Sequence, residues 1–99
     1  MPGAEEMGEK NEELERLVEA LVCLRTPDEA RALLHDLCTR REIEDLSQRL
    51  EVARMLSAGA SYVDVSRTTG ASSTTVSRVS KCLNGEAGGY RTVLERLGF

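Results

Sequence analysis

Among the tetrads of this chain that set an acid three positions after a hydroxyl residue, three stand where a helix can start: Thr26-Pro27-Asp28-Glu29, Thr39-Arg40-Arg41-Glu42 and Ser61-Tyr62-Val63-Asp64. The first N–H groups of a helix have no partner inside it. A cap oxygen accepts from one of them, and an acid at the third helical position reaches back toward the cap. Each tetrad therefore predicts a helix start, and Pro27 fits because a missing N–H costs nothing at the first helical position. Between the caps, apolar residues recur three and four apart, the period of a helix. Leu14, Leu17, Val18, Leu21 and Val22 form one stripe ending near Arg25, and Ala30, Leu33, Leu34, Leu37 and Cys38 form a second. Ile43, Leu46, Leu50 and Ala53 form a third, which runs on through Met55 and Leu56 to a helix-ending Gly59.

Beyond Gly59 the elements shorten: Ser61 to Thr69, a turn at Gly70-Ala71, Ser72 to about Leu83, a loop with Gly85, Gly88 and Gly89, then Tyr90 to Leu97. Tyr62 to Val65 tolerates a strand, but the cap at Ser61 and the turn at Gly70 leave no room for a sheet element. Aromatic residues are 3% of the chain and Trp is absent, so the core must be aliphatic and helical. The predicted class is all-α with six helices. Residues 1–10, rich in Glu with Pro and Gly, are expected to form a disordered acidic leader, and 11–99 a single helical domain. A chain of 99 residues buries a small share of its surface, and stripes this wide call for a second copy, so a homodimer is expected.

Several function classes drop out. No run approaches the roughly 18 to 20 apolar residues of a membrane span, and an acidic start does not fit a signal peptide, so a cytoplasmic protein is expected. Cys23, Cys38 and Cys82 are widely spaced and lack a CxxC pair, which predicts reduced, mostly buried thiols and no metal site. The single histidine, His35, lies three residues before Cys38 on the second helix. Two ligands are too few for a closed zinc site, so a structural histidine and a core thiol are expected. The glycines at 85, 88 and 89 follow no strand and precede no Lys-Ser pair, which removes a phosphate loop. No catalytic constellation and no cofactor are expected.

Ser61 to Leu83 has the proportions of a helix-turn-helix. Val65, Val76 and Val79 are the positions where the two short helices must touch each other or the long third helix. Gly70 lets the chain reverse, and Ser72 caps the second helix. Ser73, Thr74, Ser77, Arg78 and Lys81 are left outward, with Thr75 near the edge. Short hydroxyls allow close approach to phosphates and base edges, and the cations neutralise phosphate charge. The chain's net charge of −4 is unevenly spread: −5 over residues 1–24, −1 over 25–58 and +2 over 59–99. Asp64 is the only acid between Ser61 and Asn84, against Arg67, Arg78 and Lys81. A locally positive DNA-binding face is predicted on an acidic protein, comprising Ser72, Ser73, Thr74, Thr75, Ser77, Arg78, Lys81 and Arg67. The competing reading is a helical protein–protein interaction module that uses the same fold without DNA.

Gln48 to Leu56 (QRLEVARML) followed by Thr69 to Arg78 (TGASSTTVSR) resembles the Trp-repressor superfamily, most closely its YerC/YecD branch. The resemblance covers about Thr26 to Leu97. It implies an intertwined homodimer with two projecting reading heads, hence a repressor on a palindromic double-stranded DNA operator with half-sites about 34 Å apart. Ser73, Thr74 and Ser77 match the family's base-facing positions, and such short uncharged side chains favour readout through water and DNA shape. Trp repressors clamp the amino acid between the long helix and the second head helix with two arginines, and Arg49 and Arg78 fall near those positions. A surface arginine is ordinarily solvated or ion-paired, and Val79 stands where the family keeps a small residue beside the indole. Tight tryptophan binding is therefore not expected, while another small effector is left open.

Overall fold

In the computed structural model the backbone is described from residue 2 and the side chains from residue 11, both through residue 99. The side chains of the expected acidic leader, residues 1–10, lie outside the described residues. The elements are α1 (Pro2–Val22), α2 (Pro27–Leu37), α3 (Arg40–Ser57), α4 (Tyr62–Thr69), α5 (Ser73–Leu83) and α6 (Gly89–Arg96). Among the described residues there is no strand, and no helix is long and apolar enough to cross a membrane.

The caps at Thr26 and Ser61 act where the sequence puts them. Thr26 Oγ1 accepts from Glu29 N at 3.1 Å, while Glu29 Oε1 accepts from Arg25 N at 3.0 Å, so the glutamate reaches one residue past the cap it was expected to meet. Gly59 (φ 92°) follows the end of α3, and Gly70 (φ 77°) closes α4 in the left-handed conformation.

Contacts divide the chain into two compact units, Met1–Thr39 and Arg40–Phe99. In the first, no side chain from Asn11 to Thr39 is buried within the chain. Leu34 and Leu37, expected inward, are 37% and 55% exposed, because a lone chain puts too little over these stripes to enclose them. The histidine and the thiols also depart from expectation: His35, Cys23 and Cys82 are exposed and Cys38 is half-buried.

The second unit holds the core: Val52, Ala53, Val65, Ala71, Val76, Val79, Leu83 and Leu94, with no buried polar residue among the described ones. Helix α3 is the platform on which α4, α5 and α6 pack. Its buried residues are Val52 and Ala53, whereas Leu46 and Leu50 are 42% and 38% exposed. The third stripe thus divides, with Ala53 inside and Leu46 and Leu50 outside. Short helices need the platform's own small residues for close approach, which is why Val and Ala dominate the contact. Four fully buried valines (Val52, Val65, Val76, Val79) each contribute about 1.5 to 3 kcal/mol. At the outer end of this unit, Arg54 holds Glu51 through two-pronged hydrogen bonding and lies over the Phe99 ring, 5.3 Å from its centroid. The bond from Arg54 keeps the Glu51 carboxyl below its usual range.

Candidate nucleic-acid interface

The segment Ser61–Leu83 folds as two short helices joined at Gly70. Ser61 Oγ caps α4 by accepting from Asp64 N at 3.1 Å. The reversal is then held by side chains. Ser66 Oγ donates to Ala71 O at 2.6 Å, Ala71 N donates to Thr69 Oγ1 at 3.1 Å, and Thr69 Oγ1 donates to Val65 O at 2.7 Å. From α3, Gln48 Nε2 donates to Thr69 O at 3.1 Å. Ala71 is buried beneath the turn.

Helix α5 begins under a double bond. Ser72 Oγ accepts from Thr75 N at 3.1 Å and donates to Thr75 Oγ1 at 3.0 Å. Ser72 and Thr75 are therefore committed to the cap and to each other, and Thr75 is half-buried. With 3.6 residues per turn, Val76, Val79 and Leu83 take the buried side of α5. Thr74, Ser77, Arg78 and Lys81 take the opposite, exposed side. Ser73 is exposed on the flank toward α4. Neither Arg78 nor Lys81 has an ion-pair partner among the described residues, so both charges are available. Arg67 projects from α4 instead, with its guanidinium 3.8 Å from Asp64 Oδ1, a loose exposed pair.

Two concavities flank this strip. On the α3 side a cleft of about 780 Å³ has Arg41, Asp45, Arg49, Arg78, Val79 and Tyr90 among its lining residues. Arg49 and Arg78, far apart in sequence, share its wall, and Val79, almost fully buried, is among the residues behind it. On the α4 side lies a smaller groove lined by Tyr62, Val63, Ser66, Arg67 and Ser73. Tyr62 and Val63 were not among the expected site residues. The Tyr62 hydroxyl donates to Ser80 Oγ at 2.6 Å, tying the first turn of α4 to α5. No local pattern announces a pair eighteen positions apart; the available signal was that Tyr62 and Val63 follow directly on the cap at Ser61.

The Trp repressor protein family model matches residues 12–98, nearly the whole chain and all of the helix-turn-helix. The chain belongs to the Trp repressor family. Within that family it stands with the YerC branch: YerC of Bacillus subtilis is 42% identical over 88 residues, 89% of this chain and 85% of that one. A solved TrpR-like protein from Eubacterium eligens superposes with a TM-score of 0.82 at 46% identity, covering 89% of this chain and 91% of that one. A solved structure from Staphylococcus aureus gives 0.80 at 38% identity, covering 85% and 84%. The six helices of this Trp repressor family chain thus form the family's all-α fold, and the strip on α5 belongs to the helix-turn-helix of a regulatory DNA-binding fold.

Proposed function

We propose that this Trp repressor family chain is a sequence-specific double-stranded DNA-binding transcriptional regulator, a repressor that acts as a homodimer. The observation that carries the reading is the division of α5: one side buries Val76, Val79 and Leu83 while the other exposes Ser73, Thr74, Ser77, Arg78 and Lys81 with no acid among them. Neutral hydroxyls beside unpaired cations suit phosphate and base edges, and the turn network presents α5 as a pre-formed unit. Each chain brings few phosphate cations, so one copy binds weakly and two are needed.

The second copy is supported by the uncovered apolar surface. Leu14, Leu17, Val18 and Leu21 on α1, Leu37 on α2 and Leu46 and Leu50 on α3 are each at least 38% exposed in the single chain. Apolar surface of this extent calls for a partner, and a two-fold pair of reading heads matches a palindromic operator. Membership of the Trp repressor family supports this reading. Selection of bound duplexes from a random pool tests it, with an inverted repeat as the expected product. Recovery of no enriched duplex contradicts it and returns the fold to a protein-docking role.

A further inference from the structure

The groove on the α4 side of the reading strip is apolar where the cleft on the other side is charged. Its volume is about 370 Å³. Val63 is 67% exposed and Tyr62 51%, two large apolar side chains in the first turn of a short helix. Ser73 belongs both to this groove and to the exposed start of α5, so the groove opens toward the strip. The wall is rigid. The bond to Ser80 pins the Tyr62 ring, and a β-branched side chain such as Val63 has restricted rotation about χ1. The rim is Ser66, Ser73 and Arg67, with Asp64 leaning on the arginine.

A rim of hydroxyls and a cation points to the occupant of the neighbouring strip, not to an apolar peptide. The base-pair edges in the major groove are polar except at one group, the thymine C5-methyl. An apolar wall directly beside a hydroxyl-lined strip is the complement of such an edge. We infer that Val63, backed by the Tyr62 ring, contacts thymine methyl groups, which makes the first turn of α4 a determinant of sequence preference alongside α5. This rests on the DNA-binding reading above.

The test is a cycle between methyl and side chain. Duplexes selected by the wild-type chain are remade with deoxyuridine in place of each thymine in turn, and affinity is measured for the wild type and for Val63→Ala. Burying one methyl corresponds to about a fourfold change in affinity. The wild type is expected to lose about fourfold at one thymine per half-site, and Val63→Ala to be indifferent to the same replacement while retaining salt-dependent binding. Val63 is exposed, so unchanged thermal unfolding of the variant confirms that it folds. Equal sensitivity of both proteins to deoxyuridine, or selected sites without thymine, overturns the inference and leaves the DNA-binding reading standing. Absence of binding to any duplex overturns both.

Discussion

Gln48 of α3 donates from Nε2 to the main-chain carbonyl of Thr69 at 3.1 Å, so the platform helix holds the last turn of α4 directly at the head's reversal. The final carbonyls of a helix have no donor within it, and Gln48 supplies one from outside. Replacing Gln48 by Ala leaves that half-buried carbonyl with one donor fewer, a cost of about 1 kcal/mol. Thermal unfolding of Gln48→Ala is expected about 4 to 8 °C below the wild type. An unchanged midpoint contradicts this coupling of α3 to the head.

Gly70 has φ 77° with nothing within 4 Å of where a Cβ would stand. The cost of Gly70→Ala is thus conformational and not a clash, about 1 to 2 kcal/mol, and Gly70→Asn costs less because Asn visits this region more readily. Urea unfolding of the two variants checks the order. Equal midpoints for Ala and Asn contradict it.

How much of this was legible differs from element to element. The starts of α2, α4 and α5 follow from cap chemistry within four residues, and the ends of α3 and α4 follow from glycine. Local signals of that kind survive folding intact. The inner face of α3 was harder to read. Leu46 and Leu50 carry more apolar area than Val52, and periodicity alone cannot tell which of two apolar faces the chain itself covers. The same limit accounts for Leu34 and Leu37, exposed here, and for the cysteines. At the candidate interface, the outward strip of α5 was visible from spacing around Val76 and Val79. The commitment of Ser72 and Thr75 to the cap, and the Tyr62–Ser80 bond, depend on geometry that spacing does not encode.

The hydrogen bond from Arg54 keeps the Glu51 carboxyl below its ordinary 4.5. A carboxylate that protonates at lower pH when folded adds stability at pH above the unfolded value, and that contribution is lost as pH falls through the lowered one. Wild-type stability is therefore expected to drop more steeply than that of Glu51→Gln on acidification below about pH 4.5, by a small amount because the pair is solvated. Parallel pH profiles for the two proteins contradict the assignment.

Val79 is 2% exposed and contributes to the wall of the cleft that Arg49 and Arg78 share. The tryptophan slot that the family resemblance implies beside this helix would be narrowed by a branched residue at this position. Titration calorimetry with L-tryptophan is expected to show no micromolar uptake by the wild-type protein. Micromolar uptake contradicts that expectation and makes tryptophan the effector.

The most direct test of the account is the salt dependence of duplex binding by the wild type and by the double variant Arg78→Ala with Lys81→Ala. Each lost phosphate contact lowers the slope of log affinity against log salt by about 0.9, so removing two cations from each chain of a dimer lowers it by about 3 to 4. A wild type whose binding falls steeply with salt and a double variant with that shallower slope is the predicted result. Equal slopes for the two proteins contradict the outward strip of α5 as the DNA-binding face.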